Sequence, residues 1–301
     1  MASKLVEIRS ISDLYEFYGC AKPLHPLISV IDLTKTDSSF RFNDETSYSL
    51  NFYTIFFKTF KGVLKYGKSY YDFDEGSLMF TAPYQVISVS SDVQFKEGWG
   101  LFFHPDLLNR TELGRKIDNY SFFHYNSNEA LHISEEEKKV TKDCIENIER
   151  EYSHNIDRHS QGLLVSNIEL LLNYCNRFYD RQFFTRAKVN NDIVQRFEIL
   201  LNEYFAQQTL IELGLPDVKY FASRLNLSPN YLSDLLSKYT GKTTQEHIHL
   251  KLTDKAKSLL WGTEKSISEI AYELGFEHPS HFTKIFKSKT GKSPSEYRHL
   301  N

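Results

Sequence analysis

The feature that most constrains the fold is an internal repeat in the C-terminal third of the chain. The segment VKYFASRLNLSPNYLSDLLSKYTGKTTQEHI at 218–248 recurs as ISEIAYELGFEHPSHFTKIFKSKTGKSPSEYR at 267–298, with one extra residue in the second copy. Apolar residues recur in each copy at the spacing of a helix. Because a repeat indicates a repeated structural element, each copy is predicted to be helix, tight turn, helix and glycine stop.

Residues at the turns and ends of the two copies favour a helix-turn-helix. Asn226 in the first copy aligns with Gly275 in the second, and these residue types enter the left-handed region at the least cost. A left-handed residue between two short helices produces the sharp crossing of a helix-turn-helix. Gly241 and Gly291 follow the second helix of each copy and are predicted to end it.

Capping residues predict the boundaries of the helices. Pro229 and Pro279 suit a first helical turn, where proline loses no hydrogen bond. Capping boxes are predicted for three pairs, Thr243 with Glu246, Ser266 with Glu269, and Ser293 with Glu296. The first of these boxes opens a long helix that ends at Leu260. This helix would rigidly join helix-turn-helix units at 218–241 and 267–291.

Charge is distributed unevenly along the chain. Residues 216–301 contain 13 Lys and Arg against 9 Asp and Glu, a net charge of +4, whereas residues 1–215 contain 23 against 30, a net charge of −7. A basic segment on an acidic protein suggests a polyanion partner for that segment. Together with the repeat, the charge favours double-stranded DNA as a partner. A helix-turn-helix that serves only for packing is the alternative.

The second copy carries a distinctive set of residues: Ile270-Ala271, Leu274-Gly275-Phe276, Phe282, Phe286-Lys287, Gly291, Pro294 and Tyr297-Arg298. This set resembles the signature of the AraC/XylS family of bacterial transcription regulators. The resemblance is confined to the C-terminal third of the chain. It implies two helix-turn-helix units in successive major grooves on one face of DNA, and regulation through RNA polymerase.

The resemblance also implies which side chains contact DNA. The family's base-facing positions correspond to Asn230, Ser233 and Asp234 in the first unit and to Ser280, His281 and Lys284 in the second. A lysine suits guanine and an asparagine suits adenine, whereas plain helix surface is the alternative for the two serines. Phosphate contacts are expected from Lys287, Lys289, Lys292 and Arg298.

Asp234 departs from the family, in which a basic or amide residue is usual at this position. A carboxylate repels the phosphate backbone, although it can accept a hydrogen bond from cytosine or pair with Lys238 one helical turn later. The intrahelical pair is the favoured interpretation. We therefore expect the second unit to hold DNA more tightly than the first.

The N-terminal part of the chain has the pattern of strands. Aromatic and β-branched runs interrupted by Gly, Pro and Asp occupy 47–60, 77–83, 85–90 and 98–103. Such spacing predicts a small barrel or jelly roll and resembles the cupin-like sensor domain of AraC-type regulators. The predicted fold class is α+β in two domains, a cupin-like β-barrel with a helix pair followed by an all-α tandem helix-turn-helix domain.

Two helices are predicted after the strands, at 134–152 and 161–184. The second is apolar over more than one stripe, and the resemblance implies a homodimer contact there. The residues assigned to that contact are Leu164, Ile168, Leu171, Leu172 and Cys175. Core packing against the barrel is the alternative. The polar segment 185–192 is the predicted linker between a sensor and dimerisation domain, 1–184, and a DNA-binding domain, 193–301.

Catalysis is disfavoured by the residues present. A cupin-type metal enzyme, the rival class, needs clustered histidine and carboxylate ligands on facing strands, yet 28–103 contains no histidine and is only flanked by His25 and His104. His247 and His249 lie on a predicted helix, where residues two apart point about 200° away from each other. We predict a regulator that is not an enzyme and has no cofactor and no metal site.

The cellular location follows from what the sequence lacks. Cys20, Cys144 and Cys175 form neither a disulfide framework nor a metal spacing. The N-terminus has no apolar signal segment, and no apolar run reaches the roughly 18 residues of a membrane span. A cytoplasmic protein without a membrane partner is expected.

Whether the predicted barrel binds a ligand is left open by its residues. Its aromatic side chains, Phe52, Phe56, Phe80 and Trp99, are expected to be core. The family resemblance implies a small-molecule effector, often a sugar, but no residue selects one. A regulator that works without a ligand is the alternative.

Overall fold

The chain divides after Thr185 into an N-terminal region, Met1–Thr185, and a C-terminal region, Arg186–Asn301. The structure is a computed structural model. It describes residues 4–35, 46–59, 63–66, 69–72, 76–88, 97–206 and 210–299.

The N-terminal region contains the strands. Their bounds are β1 Lys4–Ile8, β2 Ile28–Asp32, β3 Thr46–Leu50, β4 Tyr53–Thr59, β5 Val63–Tyr66, β6 Ser69–Asp72, β7 Ser77–Thr81, β8 Val86–Ser88, β9 Glu97–Phe103 and β10 Leu131–His132. The helices of the same region are α1 Ile11–Phe17, α2 Glu112–Lys116, α3 Glu135–Ser153 and α4 Ser160–Thr185. The predicted strand-rich region and the predicted pair of helices after it are therefore confirmed.

The described strands form three sheets. The largest has the order β10-β7-β4-β9-β2, the second has the order β1-β3-β8, and β5 pairs with β6. In the large sheet, β4 runs antiparallel to both β7 and β9, with Ile55 opposite Phe80 and Leu101. Within the described residues these sheets do not close into one barrel, which differs from the predicted β-barrel.

Both faces of the large sheet are packed against other parts of the region. Its strands are therefore apolar at consecutive positions and not only at alternate ones. Ile55, Phe56 and Phe57 are consecutive residues of β4, and all three are buried. Phe56 meets Phe102 edge to face on the side that carries α1, whereas Phe57 stacks on Trp99. The expectation that the aromatic side chains belong to the core is confirmed for Phe52, Phe56 and Phe80, whereas Trp99 is only half-buried.

The dimer contact assigned to the second helix is wrong for the side chains that were assigned to it. Leu164, Ile168, Leu171, Leu172 and Cys175 each have 0% of their surface exposed within a single copy of the chain. Helix α4 packs against α3 on one side and against β10 and the 3-10 turn at 105–108 on others. An apolar face wider than one stripe is thus explained by core packing, since these side chains cannot reach a second copy.

The C-terminal region is helical. Its helices are α5 Ala187–Ala206, α6 Leu210–Leu213, α7 Val218–Leu225, α8 Pro229–Thr240, α9 Thr244–Gly262, α10 Ile267–Glu273, α11 Pro279–Thr290 and α12 Pro294–Arg298. One apolar core includes Phe197 of α5, Phe221 of α7, Leu252 of α9 and Phe286 of α11. The long helix α9 therefore shares its buried face with both helix-turn-helix units.

The segment predicted as a linker, 185–192, contains the break between α4 and α5 and the first turns of α5. Asn190 in those turns is buried, and its amide nitrogen donates to the Tyr239 hydroxyl at 3.4 Å. The polar residues of this segment suggested a linker, but Asn190, one of them, makes a hydrogen bond inside the C-terminal region. No helix in the described parts of the chain is both long and apolar enough to cross a bilayer.

Candidate DNA-binding surface

The turn of the first helix-turn-helix unit is made by Asn226. This residue is left-handed, with φ 57° and ψ 41°, and it ends α7. The backbone amide of Leu227 then donates to the Ala222 carbonyl at 2.9 Å, which closes the turn. The Ser228 side chain accepts a hydrogen bond from the amide of Tyr231 and caps α8.

The second unit repeats this geometry with a glycine. Gly275 has φ 85°, and the amide of Phe276 donates to the Ala271 carbonyl at 3.0 Å, the bond that corresponds to the one in the first unit. A side chain at position 275 has no room, because an added Cβ would lie 2.8 Å from the Leu210 carbonyl oxygen. Helix α11 then begins at Pro279 without a side-chain cap.

The second helix of each unit, α8 or α11, is here called its reading helix. Each reading helix ends on a left-handed glycine, Gly241 with φ 72° and Gly291 with φ 77°. The three predicted capping boxes are formed, by Thr243 with Glu246, Ser266 with Glu269, and Ser293 with Glu296. Hydrogen bonds from the backbone and side chain of each cap residue lower the pKa of its glutamate. These caps hold α9, α10 and α12 at defined starting points around the reading helices.

Helix α11 turns one side to the core and the other to solvent. Phe282 and Phe286 are buried, and their rings contact each other. Ser280, His281 and Lys284 are exposed on the remaining surface, and the His281 ring lies edge-on to Phe276. The second unit therefore offers all three of its predicted base-facing side chains to a partner.

Helix α8 differs in what it leaves exposed. Leu232, Leu235 and Leu236 anchor it, and the predicted base-facing residues Asn230, Ser233 and Asp234 are only half-exposed. The Ser233 hydroxyl accepts a hydrogen bond from the amide of Thr244 at 3.3 Å, so it is directed to the start of α9. The family resemblance placed Ser233 among the base-facing residues, and the sequence could not show its contact with α9, which depends on tertiary structure.

Four amines give the second unit its positive surface. Lys284, Lys287, Lys289 and Lys292 are exposed, and within the described part of the chain no ion pair engages any of them. Unpaired exposed lysines close together are suited to phosphate oxygens, which they reach without first breaking an internal pair.

Arg298, predicted with these lysines as a phosphate contact, is placed differently. Its guanidinium donates through Nη2 to the Lys265 carbonyl at 2.6 Å, and its Nε is buried without a hydrogen-bond partner. This contact ties the end of α12 to the segment before α10. Arg298 is therefore engaged inside the C-terminal region, unlike the four lysines.

His249 joins this surface, and the sequence spacing did not reveal it. It lies on α9, where its ring nitrogen is 2.8 Å from the Gln245 side chain. Burial, together with the positive charges of Lys289 and His281, lowers the pKa of His249. His247 points elsewhere, since its Nε2 lies 2.7 Å from the Thr240 hydroxyl. Only the fold brings α9 close enough to α11 for His249 to meet the reading helix.

Comparison with known proteins agrees with this geometry. Residues 221–299 match the family model described as a helix-turn-helix domain, a match that runs from α7 through α12. Residues 221–299 therefore form a helix-turn-helix domain of the AraC type. The resemblance to AraC-type regulators seen in the second copy of the repeat is thereby confirmed, and the two units together are its AraC-type domain.

Several curated proteins are similar to part of this chain. The uncharacterized HTH-type transcriptional regulator YijO of Escherichia coli K12 is 22% identical over 192 residues, 64% of each chain. The HTH-type transcriptional activator RhaS of Salmonella schwarzengrund is 29% identical over 135 residues, 44% of this chain and 46% of that protein. This chain thus spans less than two thirds of the length of these curated relatives.

A solved structure also matches part of the chain. It is the C-terminal domain of the two-component response regulator yesN from Fusobacterium nucleatum, at 29% identity and a TM-score of 0.32. The match covers 36% of this chain and 99% of that domain.

Proposed function

We propose that this protein is a sequence-specific DNA-binding transcription regulator. The observation that carries the proposal is the row of exposed, unpaired lysines on α11 in a tandem helix-turn-helix of the AraC type. A reading helix of this kind enters the major groove of DNA. Lys284, Ser280 and His281 lie on its exposed side, where base edges would be met.

The two units contribute unequally to DNA binding in this proposal. Helices α8 and α11 occupy successive major grooves on one face of the duplex. Lys287, Lys289 and Lys292 bind phosphates and set affinity, whereas base contacts set sequence preference. Asp234 weakens the first unit because its carboxylate faces the same polyanion.

The N-terminal region is proposed to be the cupin-like sensor and assembly domain, with the DNA-binding domain after it. Its strand-rich build supports this assignment, although the described strands do not close. A homodimer would present two AraC-type domains to repeated half-sites and contact RNA polymerase. The exposed side of α4, which includes Leu163 and Leu170 at 49% and 45% exposed, is the dimer surface we propose in place of the buried residues.

The alternative of a cupin-type metal enzyme gains no support from the two histidines that flank the strands. The His25 ring nitrogen accepts from the amide of Leu27 at 3.1 Å, and that of His104 accepts from the amide of Asp106 at 3.2 Å. Each ring therefore closes a local turn. Among the described residues, no group of three or more potential ligands is suited to a metal ion.

Salt dependence tests the DNA-binding proposal. With a labelled duplex and the full-length protein, fluorescence anisotropy should give an affinity that falls steeply as salt rises. The three phosphate contacts of one chain, from Lys287, Lys289 and Lys292, predict a slope of log affinity against log salt of roughly −3. An affinity that salt leaves unchanged would contradict the assignment of the lysines. The triple variant Lys287→Ala, Lys289→Ala, Lys292→Ala should remove most of this slope, because it removes every assigned phosphate contact.

A further inference from the structure

A cavity of about 310 Å³ lies in the N-terminal region, and none of the residues assigned to DNA lines it. Its walls come from the start of β4 and from the segment 105–117, which includes α2. The residues that matter for its chemistry are Tyr53, Leu108, Arg110, Thr111, Arg115 and Ile117. The cavity thus combines apolar side chains with two guanidinium groups.

The backbone at Arg110 is strained. It has φ 63°, and among the described residues only Tyr84 and Asn226 are other non-glycine residues with positive φ. A long side chain in the left-handed region is unfavourable, and such strain persists where the surroundings impose it, often at binding sites. Asparagine would be tolerated at this backbone position more readily than arginine. The presence of arginine therefore points to a role for its guanidinium group.

Hydrogen bonds hold the strained segment in place. The Thr111 hydroxyl donates to the Leu108 carbonyl at 2.7 Å and accepts from the amide of Gly114 at 3.1 Å. The Gln161 amide nitrogen on α4 donates to the Leu107 carbonyl at 2.9 Å. The wall of the cavity is therefore fixed before any ligand arrives, which reduces the entropy lost on binding.

Arg110 is the cation available in the cavity. Arg115 pairs with Glu112, whereas no described carboxylate pairs with Arg110. Glu112 is the partner of Arg115, and Asp118 is close enough to contribute to the raised pKa of Tyr53. These carboxylates oppose a multiply charged anion, so the electrostatics favour a single negative charge placed at Arg110.

The floor of the cavity is apolar. Leu108 and Ile117 are 4% and 6% exposed, and the Tyr53 ring stacks on Phe103 at 5.2 Å. Burial, helped by Asp118, raises the pKa of Tyr53, so its phenol is neutral at pH 7 and can donate a hydrogen bond. An apolar floor beside a hydrogen-bond donor and a guanidinium suits an amphipathic ligand.

We propose that this cavity binds a small organic carboxylate with a compact apolar body. The carboxylate binds the Arg110 guanidinium, which matches its planar geometry with two parallel hydrogen bonds. The apolar body packs on Leu108, Ile117 and Tyr53. A volume at the lower end of the range for ligand pockets limits the body to about one ring.

Ligand-observed NMR on the full-length protein tests the site with cyclohexanecarboxylate as the probe. Its neutral counterpart cyclohexanecarboxamide and the small anion acetate should each bind about tenfold more weakly, because one lacks the charge and the other the apolar body. In the variant Arg110→Asn, cyclohexanecarboxylate should also bind about tenfold more weakly. The melting temperature of this variant should be equal to or above that of the wild type, because asparagine suits the left-handed backbone.

The matched control is Arg9→Asn, which removes an exposed guanidinium paired with Glu7 elsewhere in the same region. This variant should bind the probe as the wild type does. Equal binding by Arg110→Asn and the wild type, or no binding of cyclohexanecarboxylate to the wild type, would overturn the proposal. Equal binding of acetate would overturn the apolar part of the site. None of these outcomes depends on whether the protein binds DNA.

Discussion

Replacing Gly275 by alanine is expected to lower the free energy of unfolding of the C-terminal region by about 2–4 kcal/mol. Two costs add at this position. The residue has φ 85°, and a Cβ would lie 2.8 Å from the Leu210 carbonyl oxygen and 2.9 Å from the Gly214 carbonyl carbon. Both neighbours are backbone atoms, so the segment that includes α6 must move away from the turn. Urea unfolding of residues 186–301 measures the loss.

Gly241→Ala is the matched control, because Gly241 has φ 72° but nothing within 4 Å of the added Cβ. It carries only the cost of the left-handed backbone, about 1–2 kcal/mol. The difference between the two variants isolates the close approach at the turn. Equal losses of unfolding free energy in the two variants would contradict the close contact of position 275 with the Leu210 and Gly214 backbone.

Replacing Lys284 by alanine is expected to weaken DNA binding by about 1–3 kcal/mol and to relax sequence preference at one base pair. Lys284 is exposed on α11, next to Ser280 and His281, and no described carboxylate competes for its amine. Anisotropy with duplexes that carry each base in turn measures both effects. A uniform loss across all sequences would instead make Lys284 a phosphate contact.

Lys265→Ala is the control for Lys284. The Lys265 amine already pairs with Glu273 at 2.6 Å, and its loss removes the same formal charge from the same region. We expect a change in DNA affinity below about 0.5 kcal/mol, because an exposed paired charge contributes little. A loss as large as that of Lys284→Ala would mean that net charge, and not position, determines binding.

Local rules predicted the helix-turn-helix units well. Asn226, Gly275, Pro229 and Pro279 are residues whose backbone preferences leave few conformations, so their positions in the sequence indicate the turns and the helix starts. The boxes at Thr243, Ser266 and Ser293 involve residues three apart and need no tertiary information. The structure has each of these features at the residues expected.

The assignments that differed all depended on contacts between distant residues. The family resemblance assigned the apolar face of α4 to a dimer, because the sequence cannot show that α4 packs against α3 and β10 or that Ile168 and Leu171 are buried. Arg298 looks like any basic residue until its guanidinium is found on the Lys265 carbonyl, 33 residues away in the chain. His249 was likewise considered only with His247, whereas its neighbours are on α11.

The most direct test of the central claim is selection of bound sequences from a random pool of duplex DNA by the full-length protein. Two helix-turn-helix units in successive major grooves predict a site with two conserved blocks about 10 base pairs apart. The block read by α11 should be the more strictly conserved, because α8 carries Asp234 and a Ser233 that is hydrogen-bonded to the α9 amide. A single conserved block, or no enrichment over the starting pool, would contradict the claim.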